Sequence, residues 1–317
     1  MTRHLALVGC TATGKSACAL AIARSLRDVE IVSLDSMQVY RGLDIGTAKP
    51  TLAERDRVVH HLVDLADPSD DWSVRETQHG ARAALAGIEA RGHRAILVGG
   101  TGLYVRGVVD DLAVPPTDAS LRAELEGRVE TDAGLAAAYA RLEALDPVAA
   151  TRIEPGNRRR IVRALEVIEL TGRPFSASGP GLERYGPPAI DVTLIGVGFS
   201  RETRATRIAA RVAVMRAAGF VDEVRALTTR PAPLSRTARQ AIGYRELLDH
   251  VEGRQPDLDL AFDDIVTRTR RFARRQDVWF RRDPRITWFA PSENGDSVRG
   301  AVLARWESPQ APARATA

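Results

Sequence analysis

The sequence predicts an α/β chain: a parallel-sheet core with a mostly helical domain inserted into it. Three observations carry the prediction. Gly9-Cys10-Thr11-Ala12-Thr13-Gly14-Lys15-Ser16 matches the P-loop pattern, with both glycines, the lysine and the hydroxyl residue in place, so the core is read as P-loop NTPase-like. Short apolar runs alternate with stretches of helical periodicity around it. Between Pro115-Pro116 and Asp191 every readable element is a helix.

The first element is His4-Leu5-Ala6-Leu7-Val8, a short buried strand. The Ala- and Leu-rich run Ser16 to Leu26 is the helix that follows it. Between them, consecutive backbone N–H groups meet a helix N-terminus and make an anion nest. Gly9, Thr11, Ala12, Thr13 and Gly14 form its wall. Lys15 reaches the outer phosphates, and Ser16 is placed to ligate Mg²⁺. The motif promises a di- or triphosphate without saying which; the bland alternative is a glycine-rich turn with no ligand.

Glu30 to Leu34 is the second strand, ending at Asp35-Ser36. A carboxylate at the carboxyl end of a parallel strand lies where open α/β sheets bind ligands, so Asp35 is the first catalytic candidate. The alternative is a helix cap or a partner for Ser36. Val58 to Asp64 reads as a third strand or a connector, and its histidines, His60 and His61, as structural groups. Asp67-Pro68-Ser69-Asp70 is a turn signal. Ser73 to Arg91 is a helix stopped by Gly92, and Ala95 to Val98 a fourth strand.

That strand runs into Gly99-Gly100-Thr101-Gly102, with Thr101 at the start of a helix over Leu103 to Val109. A P-loop ATPase or GTPase usually ends such a strand in an aspartate that holds Mg²⁺. Here the acid follows the second strand instead, which counts against a nucleotide triphosphatase.

Pro115-Pro116-Thr117-Asp118 marks a domain border. Helices are expected over Ala119 to Glu130, over Gly134 to Leu145, from Asp146-Pro147, and over Arg158 to Ile168. In the last, Arg159 and Arg163 share a face. An arginine cluster at a helix start is either a grip on a nucleic-acid backbone or a solvated face. The sheet resumes at Asp191 to Val197. Arg201 to Ala218 is a long helix on which Arg204, Arg207 and Arg211 share a side that Arg201 begins. Asp259 to Arg282 is a second long, arginine-rich helix. Arg285 to Phe289 is a short strand, Ser297 to Trp306 a last helix, and Pro309 onward a disordered tail. The expected division is 1–116 and 189–290 for the core, 117–188 for the insertion and 291–317 for the end.

Composition narrows the classes. The 317 residues carry a net charge of +4 and are 44% hydrophobic, enough for a large domain plus a small one. The basic excess is compatible with nucleic acid. Two cysteines, Cys10 and Cys18, have no disulfide or zinc spacing, so a reducing, cytoplasmic setting is expected. No apolar run is long enough to cross a membrane, and a monomer is the default. Of the 45 basic residues only Lys15 and Lys49 are lysine, which adds modestly to the case for a pocket role for Lys49.

Six blocks together carry a resemblance. They are Asp35-Ser36-Met37-Gln38-Val39-Tyr40-Arg41, Ile45-Gly46-Thr47-Ala48-Lys49-Pro50, His60-His61-Leu62, Gly99-Gly100-Thr101-Gly102-Leu103-Tyr104, Arg163-Ala164-Leu165-Glu166-Val167 and Gln240-Ala241-Ile242-Gly243-Tyr244. In this order, from Leu5 to about Arg282, the chain resembles the tRNA isopentenyltransferase family, the bacterial tRNA dimethylallyltransferases. The resemblance implies a P-loop core with an inserted helical tRNA-binding domain. It implies transfer of a dimethylallyl group from dimethylallyl diphosphate to N6 of the adenosine at position 37 in the tRNA anticodon stem-loop, with Mg²⁺ and release of diphosphate.

On that resemblance the loop from Gly9 to Ser16 binds the diphosphate, with Arg201 and Arg207 as a clamp. Asp35 and Thr101 are catalytic: Asp35 meets the N6 amine, and Thr101 reaches toward the transfer site. The tRNA contacts are Asp35, Ser36, Met37 and Gln38; Arg159, Arg160, Ile161, Val162 and Arg163; and Gln240, Gly243, Tyr244 and Arg245. The chain departs from the family's commonest wording at Trp72-Ser73-Val74 and at Ile153-Glu154-Pro155-Gly156, read as surface variation, and has no C-terminal Cys–His cluster. Rival readings are an adenylate isopentenyltransferase acting on free AMP, a P-loop small-molecule kinase, and an RNA-binding protein with a vestigial P-loop. The arginine-bearing helical block speaks against the first, the Gly-Gly-Thr strand end against the second, and the intact Lys15, Ser16, Asp35 and Thr101 against the third.

Overall fold

A computed structural model describes residues 3–177, 184–290 and 296–308. The chain runs through β1 (His4–Val8), α1 (Lys15–Ser25), β2 (Val29–Ser33), α2 (Leu52–Arg55), β3 (His60–His61), α3 (Val74–Ala90), β4 (Arg94–Gly99) and α4 (Gly102–Val109). Four helices follow: α5 (Ala119–Arg128), α6 (Asp132–Leu145), α7 (Pro147–Ala150) and α8 (Arg158–Thr171). It then continues with β5 (Val192–Val197), α9 (Arg201–Ala217), α10 (Phe220–Thr228), α11 (Arg236–Arg239), α12 (Tyr244–Val251), α13 (Leu258–Arg281), β6 (Thr287–Phe289) and α14 (Asp296–Glu307). Two compact units result, Met1–Asp111 with Pro187–Ala317, and Leu112–Gly186.

In the larger unit the six strands form one parallel sheet in the order β3-β2-β4-β1-β5-β6. The central strands are apolar on both faces because helices cover both. Ala6, Val8, Val32 and Leu97 pack with Ala81, Leu85 and Ile88 of α3 and Val105 and Val108 of α4. Leu5, Leu7, Ile31, Ile96 and Val98 pack with Ala19, Ile22 and Ala23 of α1 and with Val302 and Trp306 of α14. The period-two alternation thus sorts one strand's residues between two cores. A third core joins Val39, Tyr40 and Leu43 to Phe220, Val224, Tyr244, Leu247 and Ile265.

Where a third strand or a connector was expected, the strand is only two residues long. His60 and His61 pair with Ile31 and Val32, and then Leu62 and Asp64 take left-handed backbone, φ 62° and 58°, which ends the ladder. Asp64 turns inward to Lys49. The Lys49 ammonium donates to Tyr40 O at 2.7 Å, Asp44 Oδ1 at 2.5 Å and Asp64 Oδ1 at 2.6 Å. All three of its N–H bonds are used, so this lysine ties a loop together and has none left for a ligand. The two histidines also hold structure: His60 Nδ1 lies 2.7 Å from Val58 O, and His61 Nε2 lies 2.7 Å from Glu30 Oε2.

The smaller unit is helical. Asp118, Thr131, Asp146 and Asn157 cap α5, α6, α7 and α8 with side-chain acceptors. Leu125, Leu142, Ile161 and Leu165 fill its core. Glu166 is buried and accepts from Arg122, Arg163 and the Asp118 N–H. Among the described residues no helix is long and apolar enough to cross a membrane. The segment from Pro309 onward, expected to be a disordered tail, lies outside the described residues.

Candidate active site

Three loops at the carboxyl ends of β1, β2 and β4 bring together the candidate residues of the core. The first is the P-loop. Gly9 has φ 147°, and a Cβ there would lie 2.4 Å from the Val197 carbonyl, so only glycine lets β1 run this close to the end of β5. Ala12 and Gly14 are left-handed, φ 64° and 80°. Thr13 Oγ1 donates to Cys10 O at 2.9 Å, and Lys15 Nζ reaches the same carbonyl at 3.4 Å. Gly14 caps α1 without a side-chain acceptor, and the Ser16 hydroxyl is exposed with no hydrogen bond. The first N–H groups of α1 therefore have no side-chain partner.

Helix α9 lies against this loop. Arg207 Nε donates to Ala12 O at 2.9 Å, and its guanidinium stacks 4.7 Å from the Phe199 ring centre. Arg211 Nη1 donates to Thr11 Oγ1 at 3.1 Å. Arg204 is buried, 3.8 Å from Cys10 Sγ and 3.4 Å from Asp277. The stripe read from the sequence thus faces the loop through Arg204, Arg207 and Arg211. Arg201, chosen as half of the clamp, is exposed and makes no hydrogen bond or ion pair. Arg211 stands in the place that its spacing on the stripe had offered.

The second loop holds Asp35. Its Oδ1 accepts from the N–H of Met37 at 2.8 Å and of Gln38 at 3.3 Å, an Asx turn that leaves Oδ2 without a hydrogen bond. Gln38 is fully engaged: it accepts from Ser33 Oγ and donates to Thr47 O and Ala48 O. The third loop is Gly99-Gly100-Thr101. Thr101 is the cap residue of α4 but makes no capping bond; its Oγ1 lies 3.4 Å from Ser36 Oγ. The loops of β1 and β4 meet at Gly100, where a Cβ would lie 2.6 Å from Gln276 Nε2, 3.4 Å from Gly9 O and 3.5 Å from Lys15 Nζ.

The electrostatics suit an anion site. Burial pushes the Lys15 ammonium below its ordinary pKa, and the Asp35 charge pulls it back only in part. Burial likewise lowers Arg211, with Asp35 again the opposing charge. Two desolvated cations share one nearby carboxylate, so an entering anion would relieve both.

The residues expected at RNA divide in two. Arg159 and Arg160 at the start of α8 are exposed, with side chains that make no hydrogen bond or ion pair, as are Gln240 and Arg245 at the α11–α12 turn. Ile161 and Val162 are core residues of the smaller unit, and Arg163 donates to Pro115 O, Pro116 O and Glu166. Tyr244 is buried, with its hydroxyl 2.6 Å from Glu223 Oε1 and its ring edge-on to Phe220. Gly243 is pressed on Phe220, where a Cβ would lie 2.8 Å away. At Ile161, Val162, Gly243 and Tyr244 no exposed side chain exists to make the expected contact.

Sequence reasoning did not find Gln276, which is buried between the P-loop and the β4 loop. In a helix full of arginine nothing in the local pattern marks it; a polar residue at a buried α13 position was the one available signal.

A family model described as IPP transferase matches residues 38–283, and one described as isopentenyl transferase matches residues 2–62. A tRNA dimethylallyltransferase of a Nocardioides species is 49% identical, over 93% of this chain and 93% of its own length. The Streptomyces coelicolor protein of that name is 48% identical, over 97% and 94%. Among solved structures, the full-length tRNA isopentenylpyrophosphate transferase of Bacillus halodurans is similar with a TM-score of 0.68, at 37% identity and 97% coverage of both chains. The family model covers most of the chain, and the relatives match it nearly end to end: the chain belongs to the IPP transferase family.

Proposed function

We propose that the protein transfers a dimethylallyl group from dimethylallyl diphosphate to N6 of the adenosine at position 37 of tRNA. The observation that carries the reading is the company the P-loop keeps: a carboxylate, Asp35, after β2 and a hydroxyl, Thr101, after β4. A kinase or triphosphatase wants its acid at the end of the strand that here finishes in Gly-Gly-Thr.

The diphosphate lies on the N–H groups from Ala12 to Ser16, with Lys15, Arg207 and Arg211 offsetting its charge. Mg²⁺ fits the donor set: Ser16 offers one unengaged hydroxyl, and this ion takes few protein ligands when phosphate oxygens and water supply the rest. When bound it neutralises leaving-group charge.

In the reaction the N6 lone pair forms a bond to C1 of the donor, and the C1–O bond breaks. The electron pair leaves with the diphosphate. The N6 proton passes to Asp35, whose Oδ2 is open while Oδ1 keeps the turn. An exocyclic amine is a weak nucleophile because its lone pair is shared with the ring, so a base at its proton is what the step requires. Donors fixed around the bridging oxygen lower the barrier as charge grows there. Thr101 Oγ1, held only by Ser36, is free to hydrogen-bond at the transfer site.

The adenosine leaves its stack to reach such a pocket. Arg159 and Arg160 in one unit and Gln240 and Arg245 in the other each offer exposed groups to the RNA backbone. The test is pyrophosphate release on mixing tRNA, dimethylallyl diphosphate and Mg²⁺. Release that needs tRNA, matched one for one by N6-alkylated adenosine in a digest, supports the reading. Release as free alcohol with no modified nucleoside contradicts it.

A further inference from the structure

We infer that Gln276 is a positioning residue: one buried side chain that fixes the anion loop against the Thr101 loop, and so sets the distance over which the group is transferred. The inference rests on the transfer reaction proposed above.

Gln276 sits on α13 and is 7% exposed. Its Oε1 accepts from the Thr11 N–H at 2.9 Å. Its Nε2 donates to Gly100 O at 2.7 Å. The two partners follow different strands, β1 and β4, and no other side chain among the described residues bonds the backbones of both loops. Glutamine suits the place because its amide is donor at one end and acceptor at the other, matching one N–H and one C=O. Gly100 is small for the same reason, since a Cβ would lie 2.6 Å from Gln276 Nε2.

The strut has two consequences. The Thr11 N–H is spoken for, so the anion is bound by the later N–H groups of the loop and by side chains. And Thr101, one residue beyond the pinned carbonyl, cannot drift from the diphosphate. A misplacement of a reacting group by a fraction of an ångström to one ångström is costly in rate, while binding of the donor depends mainly on the P-loop itself.

The test uses the full chain and three variants. Gln276→Met keeps the bulk and removes both hydrogen bonds. Gln276→Glu at pH 8 keeps the acceptor for Thr11 and loses the donor for Gly100. Thr101→Val removes the hydroxyl being positioned. Hydrogen exchange, which needs no substrate, is expected to speed up about tenfold in segments 9–16 and 99–105 together in Gln276→Met, and in 99–105 alone in Gln276→Glu. In kinetics, Gln276→Met is expected to lower kcat about tenfold or more while the donor KM moves less than about threefold. Combined with Thr101→Val, it should add little to the loss caused by Thr101→Val alone. Exchange that rises across the whole sheet, or losses that multiply in the double variant, would make Gln276 a general packing residue and overturn the inference. If the wild-type chain transfers nothing, the reaction falls, and the strut stands or falls on the exchange result.

Discussion

Arg207 Nε donates to the carbonyl of Ala12 at 2.9 Å, and Ala12 is the one non-glycine residue of the P-loop in left-handed backbone, φ 64°. That conformation costs an alanine on the order of 1 kcal/mol, so a neighbour must hold it. The arginine does so while keeping its charge beside the loop proposed to take the diphosphate.

Arg207→Ala should therefore loosen the loop and remove a cation in one step. The donor KM is expected to rise roughly tenfold to a hundredfold, as for loss of a charge-assisted hydrogen bond. Arg207→Lys keeps the charge without the fork and should fall between. Pyrophosphate titration by calorimetry checks both. Arg201→Ala is the control: an exposed residue with no side-chain hydrogen bond or ion pair should change donor affinity by less than about threefold.

Asp35→Asn preserves the turn, because an amide oxygen still accepts from Met37 and Gln38. It removes the proposed base. Single-turnover transfer should slow about a hundredfold or more, with tRNA affinity by filter binding moved less than about threefold. Equal losses in binding and turnover would make Asp35 an RNA contact only.

Arg245 and Tyr244 are sequence neighbours with opposite expectations. Arg245→Ala should weaken tRNA binding and lower its salt slope by about one, the signature of one lost phosphate contact. Tyr244→Phe strips the hydroxyl from Glu223, the carboxylate that also accepts from the N–H groups of Asp44, Ile45 and Gly46. It should cost about 1 kcal/mol of stability and leave the salt slope unchanged, read by denaturant melts beside the binding assay.

His4 predicts an acid-sensitive fold. Its Nδ1 accepts the Ala95 N–H at 3.0 Å while Nε2 donates to Glu89 at 2.8 Å, so the neutral ring is the form that fits. Burial holds its pKa below the ordinary 6.5, against the raising effect of Glu89. A folded-state pKa below the unfolded one contributes stability at higher pH, and that contribution is lost as pH falls through 6.5 toward the folded value. The melting temperature should drop as pH falls below about 6.5, and less steeply in His4→Gln.

Much of this was legible in the chain. The strand, loop and helix from His4 to Ser25 follow from local pattern alone, and Asp35 stands out by lying at a strand end, while the role expected of Thr101 came only with the family resemblance. What local pattern missed depends on tertiary neighbours. The rarity of lysine added modestly to the case for Lys49 in a pocket, yet Asp44, Asp64 and Tyr40 take all its protons. Tyr244 and Arg245 lie in one block, but a helix buries one and exposes the other. The strand at His60 was cut short by left-handed residues that no apolar run announces. Gln276 meets its partners 265 and 176 residues away, and only the fold brings them together.

The central claim is transfer to one adenosine in tRNA, and labelled donor tests it most directly. Dimethylallyl diphosphate with label in the dimethylallyl group and Mg²⁺ is offered to unmodified tRNA with adenosine at position 37, to the same tRNA with guanosine there, and to free AMP. Label on the first acceptor alone is the predicted result. Label on AMP, or on neither RNA while the protein still binds pyrophosphate, would contradict it.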